Sequence, residues 1–62
     1  MVDLETIDDL AKVAERAGGM VLHEVWGNAH QYLVQDGETT YHYRTFAGRA
    51  EVVAAATEIA GL

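Results

Sequence analysis

The stretch MVLHEVWGNAHQYLVQDGETTYHYRTF, Met20–Phe46, decides the fold class. Valine, tyrosine and threonine are dense in it, and two residue pairs, Gly27-Asn28 and Asp36-Gly37, interrupt it. Because glycine and asparagine adopt a positive φ at little cost, such pairs are typical of the tight turns that close β-hairpins. The stretch therefore predicts a meander of three antiparallel strands, over residues 20–26, 29–35 and 38–46.

An amphipathic helix is predicted before the meander, between Leu4 and Ala17. Its apolar residues recur at the spacing of one helix face: Leu4, Ile7, Leu10, Ala11, Val13, Ala14 and Ala17. Asp3, or Thr6 with an acidic residue three positions on, is expected to cap its start. Gly18-Gly19 is expected to end the helix, because a glycine with positive φ is a common C-terminal cap.

A second helix is predicted after the meander. Its apolar face consists of Val52, Val53, Ala56, Ile59 and Ala60. Gly48 or Thr45 is expected to cap the start, and Gly61 is expected to close the end. The predicted fold is therefore a single α+β domain over residues 1–62, of order α-β-β-β-α, with both helices packed on one face of the sheet.

This order of elements resembles that of double-stranded RNA-binding domains. The resemblance covers element order and no functional residue. Those domains place a basic cluster at the start of the second helix to bind phosphates, whereas this chain has Arg49 there, followed by Glu51 and Glu58. A nucleic-acid-binding module of that topology is an alternative function, but the net charge of −6 opposes binding to a phosphate backbone.

Two-residue turns at both pairs assign every strand residue to one face of the sheet. They predict the pairs Trp26–Ala29, His23–Tyr32, Tyr32–Tyr41 and His30–Tyr43. One face then carries Val21, His23, Val25, His30, Tyr32, Val34, Thr39, Tyr41 and Tyr43. The other carries Met20, Leu22, Glu24, Trp26, Ala29, Gln31, Leu33, Gln35, Glu38, Thr40, His42, Arg44 and Phe46. We expect the helices to cover the first face, which is richer in valine and tyrosine; the alternative is that they cover the face of Trp26.

An uncovered second face is predicted to bind a partner. It would expose a contiguous apolar patch of Met20, Leu22, Trp26 and Leu33, and such patches are typical of binding surfaces. The partner is either another protein or a second copy that forms a homodimer through the sheet face. The carboxylates expected on the first helix, Asp3, Glu5, Asp8, Asp9 and Glu15, form a second predicted binding surface, for a partner with a basic surface.

The composition argues against an enzyme. The chain has neither cysteine nor serine, which removes the usual nucleophiles of covalent catalysis. His23 and His30 share a face while His42 lies on the other, so the predicted register excludes coordination of a metal by all three histidines. No cofactor is expected.

No apolar run reaches the length of a membrane span, and the N-terminus is acidic, so a cytoplasmic protein is expected. We therefore predict a small acidic modulator that acts by protein contact, such as a phage-type inhibitor of a nucleic-acid-binding protein; a homodimeric structural or regulatory protein is the remaining alternative.

Overall fold

The computed structural model describes residues 1–61 and has an α+β fold. Its elements are β1 (Val2–Asp3), α1 (Ile7–Arg16), β2 (Val21–Trp26), β3 (Ala29–Asp36), β4 (Thr39–Phe46) and α2 (Ala50–Ala60). The strands form one sheet in the order β1-β4-β3-β2. The predicted antiparallel meander is therefore confirmed as β2-β3-β4, and a fourth strand parallel to β4 makes the sheet mixed.

Strand β1 was not predicted, and it corrects the role of Asp3. Val2 and Asp3 pair with Tyr41 and His42, and the amide of Leu4 donates to the carbonyl of His42 at 2.7 Å. The segment supplies partners for backbone groups that β4 would otherwise leave unpaired. Asp3 therefore lies in the sheet instead of capping α1.

Helix α1 begins at the second predicted cap, Thr6. Its Oγ1 accepts a hydrogen bond from the amide of Asp9 at 3.1 Å, which satisfies one of the free amides at the helix start. The helix ends as predicted, because Gly18 and Gly19 both have a positive φ and the amide of Gly19 donates to the carbonyl of Ala14 at 2.7 Å. Glycine tolerates this conformation because it has no Cβ.

The second hairpin turn lies one residue later than predicted. Asp36 pairs with Thr39, so the central residues are Gly37 and Glu38, and Tyr32 pairs with Tyr43 instead of Tyr41. His30 accordingly pairs with Thr45 instead of Tyr43. A slip of two residues preserves the side of the sheet on which each residue lies. The predicted faces are therefore correct although the register is wrong.

The helices cover the face that carries Tyr32, Val34 and Tyr43. These three side chains are buried with Leu10, Val13, Ala14 and Ala56 of the helices. The hydroxyl of Tyr32 is 2.9 Å from Oγ1 of Thr57 and 3.4 Å from the carbonyl oxygen of Val53, which links the middle strand to α2. Burial raises the pKa of Tyr43 above its ordinary value. The face of Trp26 is left open.

Helix α2 starts later than either predicted cap allows. Its N-cap position is Arg49, which makes no side-chain capping bond, while Thr45 is a buried residue of β4. The amide of Val53 donates to the carbonyl of Arg49 at 3.0 Å, which begins the helical pattern. Gly61 closes the helix as expected.

Leu10→Ala tests how much of the stability comes from this single covered face. Leu10 is fully buried, so we expect the free energy of unfolding to fall by about 2–5 kcal/mol. Lys12→Ala, on the exposed side of the same helix, should change it by less than about 0.5 kcal/mol. Urea unfolding followed by circular dichroism measures both. Equal losses in the two variants would contradict the assignment of the core.

Candidate functional site

The open sheet face is the candidate functional site. Its most exposed apolar side chains are Met20 (79% exposed), Trp26 (66%), Leu22 (57%) and Phe46 (51%). No element of residues 1–61 packs over this face, because both helices lie on the other side of the sheet. These side chains are exposed because the two short helices form a single layer, which covers only one face of the sheet.

The structure divides the predicted apolar patch into two. Met20, Leu22 and Leu33 line one open groove of about 540 Å³, together with Gly19, Val21, Gln35, Thr40 and Ala60. Trp26 lies at the far end of β2, in a groove of about 390 Å³ with Ala29, Gln31 and Arg44. Three of the four predicted apolar residues therefore meet in one place, and Trp26 belongs to another.

A polar row separates the two apolar regions. Glu24, Gln31 and Arg44 are cross-strand neighbours on β2, β3 and β4. The amide nitrogen of Gln31 donates to Oε1 of Glu24 at 3.4 Å, and its Oε1 accepts from Nη2 of Arg44 at 3.4 Å. The carboxylate on one side and the guanidinium on the other fix the orientation of this amide.

His42 extends the polar network to the edge of the sheet. Its Nε2 is 2.9 Å from Oε1 of Gln31, and its Nδ1 is 3.2 Å from Oδ1 of Asp3. Both neighbours are oxygen acceptors, so a neutral imidazole satisfies one of them and a protonated imidazole satisfies both. The network therefore runs from Glu24 on β2 to Asp3 on β1, across the whole sheet.

A second apolar row contains an aromatic residue, Phe46, that is not among the predicted binding residues. Phe46 pairs with Ala29, which in turn pairs with Trp26. The small side chain of Ala29 therefore lies between two exposed aromatic rings. No local sequence signal identifies this row, because it follows from the observed register, in which Gly37 is the first central residue of its turn.

Four of the five predicted acidic residues lie close together in the sequence, and the fifth lies apart from them. Asp3, Glu5, Asp8 and Asp9 lie within seven consecutive residues that contain no lysine or arginine. Asp3 and Glu5 precede α1, so they do not belong to the helix on which they were expected. Glu15 lies seven residues after Asp8, about 10 Å further along the helix. The cluster therefore excludes Glu15.

Two of the basic side chains form hydrogen bonds with other side chains of the fold. Nε of Arg16 donates to Oδ2 of Asp36 at 2.8 Å, and Nη2 donates to the hydroxyl of Tyr41 at 3.0 Å. The hydrogen bond to Asp36 is the largest of the effects that raise the pKa of Arg16 above its ordinary value. Arg44 is held by Gln31 on the open face. Neither arginine forms an ion pair with the acidic cluster of residues 3–9, although Arg44 lines the same shallow groove as Asp3.

The histidines take the faces that the sequence predicts. His23 and His30 lie on the side covered by the helices, where Nε2 of His23 is 2.8 Å from Nδ1 of His30, and His23 stacks on Tyr32 at 4.4 Å between ring centroids. His42 lies on the open face. Within residues 1–61, no three histidine, aspartate or glutamate side chains converge as metal ligands.

Comparison of the chain with known protein families, with curated proteins and with solved structures found no match. Neither helix of residues 1–61 has the length and hydropathy that a membrane-spanning helix requires.

Gln31→Leu tests whether the polar row keeps the two apolar regions apart. The substitution would join the Leu22–Leu33 region to the Trp26–Phe46 row, and larger exposed apolar patches bind hydrophobic dyes and promote association. We expect stronger fluorescence of a hydrophobic dye than with Gln35→Leu, a matched change on an exposed residue of the same strand. Equal dye binding by the two variants would contradict a separating role for Gln31.

Proposed function

We propose that this chain is a non-enzymatic protein-binding module whose open sheet face docks on a partner with both apolar and basic side chains. The observation that carries the proposal is one cross-strand row, Leu22–Leu33–His42–Asp3, which passes from apolar on β2 to acidic on β1. Three strand spacings separate its ends, about 14 Å in all. One binding surface therefore offers two kinds of contact at a fixed distance.

The acidic end supplies long-range attraction. Asp3 is exposed at the edge of the face, and Glu5, Asp8 and Asp9 follow it within the next six residues. Part of this concentration has a structural cause, because carboxylates near a helix start interact favourably with the helix dipole. The same charges speed encounter with a basic surface and make the rate depend on salt.

The apolar end supplies the short-range contacts. Leu22 and Met20 are exposed beside Leu33, and Trp26 is exposed at the other end of β2. Tryptophan is enriched among the residues that dominate binding energy, because its large ring buries much surface at low entropic cost. The two apolar regions suit a partner that touches the sheet at two points on either side of the polar row.

A basic groove that normally holds nucleic acid is the class of surface that best fits this arrangement. Such grooves combine lysine and arginine side chains with apolar or aromatic groups. The chain, with a net charge of −6, would compete with the nucleic acid for the groove. It would thereby inhibit the protein that has the groove. The expected role is therefore that of a small acidic inhibitor or modulator.

A synthetic amphipathic helical peptide, with lysine on one face and leucine on the other, provides a defined probe. We expect it to shift the NMR resonances of Asp3, Leu22, Leu33 and His42, with an affinity that falls as salt is added. Asp8→Lys with Asp9→Lys should weaken binding about tenfold, which corresponds to ~1.4 kcal/mol.

The matched control reverses the same number of charges on α2, through Glu51→Lys with Glu58→Lys. Both glutamates are exposed. An equal loss of affinity in the control would mean that net charge alone attracts the peptide. That result, or resonance shifts confined to the helices, would overturn the proposed docking face.

A further inference from the structure

Strand β2 is an unprotected edge of the sheet. It pairs with β3 on one side over all six residues, and no strand of residues 1–61 lies on its other side. The opposite edge is formed by β1, which is two residues long. Very short strands, charged side chains, proline and β-bulges are the usual protection of sheet edges against pairing. Strand β2, of sequence VLHEVW, has one charged residue, Glu24, and no lysine, proline or bulge.

The geometry of the first turn identifies the free backbone groups. Residues that flank a two-residue turn exchange hydrogen bonds, so Trp26 and, by alternation, Glu24 and Leu22 bond to β3. The amides and carbonyls of Val21, His23 and Val25 therefore point away from the sheet. The same alternation directs the carbonyl of His42 outward on β4, where the amide of Leu4 binds it at 2.7 Å.

Exposed apolar side chains surround this edge. Val25 is 58% exposed, although it lies on the side of the helices, and Met20, Leu22 and Trp26 are exposed on the open side. These four make up more than half of the large hydrophobic side chains that are exposed in residues 1–61. The outward backbone groups of β2 and the exposed apolar side chains therefore lie along the same edge of the sheet.

We propose that a second copy of this chain pairs with this edge, with the two β2 strands antiparallel and His23 opposite His23 of the second copy at the two-fold axis. Val21 then pairs with Val25 of the second copy, and Val25 with its Val21. All three outward residues of each strand form hydrogen-bonded pairs. A slip of two residues in either direction loses one of these pairs.

The side chains on the open face support the same register. Met20 of one chain lies opposite Trp26 of the other, so the two most exposed large side chains of the β2 region cover each other, a contact that sulfur and an aromatic ring favour. Paired residues of antiparallel strands lie on the same face. The product is a continuous sheet of eight strands with all the helices on one side.

Charge favours a second copy at this edge despite the net charge of −6. The acidic segment of residues 3–9 begins on β1, at the opposite edge of the sheet. Glu24 is the one carboxylate of β2, and the proposed register sets it opposite Leu22 of the second copy. A register centred on Glu24 would instead set two carboxylates opposite each other, which is destabilising.

Amide hydrogen exchange at two protein concentrations tests the pairing directly. The amides of Val21, His23 and Val25 are free in the single chain, so they should exchange several-fold more slowly at about 1 mM than at about 10 µM. The amides of Leu22 and Glu24, which bond to β3, are the internal control and should change less. Sedimentation should show a dimer over the same range.

Two variants separate edge pairing from stacking of the open faces. Val25→Pro removes an outward donor while leaving the bonds between β2 and β3 intact, and proline is tolerated in edge strands. We expect it to be monomeric. Leu33→Lys charges the middle of the open face and should remain dimeric.

Three results would overturn the proposal. The first is a monomer at about 1 mM with unprotected amides at positions 21, 23 and 25. The second is a dimer in which these amides exchange as fast as in the monomer. The third is a dimer that Leu33→Lys dissociates and Val25→Pro does not.

Discussion

The turn at Gly37-Glu38 is the constraint on which the rest of the structure depends. Gly37 has a φ of 62°, and no residue other than glycine has a positive φ in residues 1–61. A positive φ at the first central residue alone is the signature of a type II′ turn, whose twist matches that of the paired strands. Gly27 has the same role in the first hairpin, with a φ of 63°. Together the two turns fix which residues of β2, β3 and β4 are neighbours.

The register distributes the few large side chains of a short chain between two unequal faces. Tyr32, Leu10 and Val34 are the largest fully buried side chains, and all of them lie between the sheet and the helices. A chain of 62 residues buries a small fraction of its surface compared with larger domains. The open face, with its polar row and two apolar regions, therefore exists because the helices cover only one side of the sheet. Any binding function of the sheet has to use the side chains of this open face.

Much of this arrangement could be predicted from the sequence. The helical spacing of α1, the glycine pair that ends it and the Gly27-Asn28 turn are local signals, and each one acts within a few residues. The assignment of faces was also correct, because the valine and tyrosines of β3 and β4 occupy alternate positions, and apart from Leu33 the residues beside them are polar. Even the error in the second turn preserved the faces, since the register slipped by two residues.

The missing parts depend on contacts between distant segments. Strand β1 is too short to have a sequence pattern, and it exists because β4 offers it backbone partners. The central residues of the second turn can be Asp36-Gly37 or Gly37-Glu38, depending on the turn type. The frequencies of these dipeptides in turns do not decide between the two. The neighbours of Gln31 and Phe46 depend on that choice, so the polar row and the aromatic row could not be found before the register was known.

Cross-strand NMR contacts between α-protons test the register most directly. In this structure, Gln31 is opposite Arg44 and Leu33 is opposite His42, and the alternation of hydrogen bonds makes both of them the closely spaced, non-hydrogen-bonded kind. Strong Hα–Hα contacts are therefore expected for Gln31–Arg44 and Leu33–His42. Contacts for Gln31–His42 and Leu33–Thr40 in their place would contradict the account, because they would replace Arg44 by His42 in the polar row and remove the row from Leu22 to Asp3.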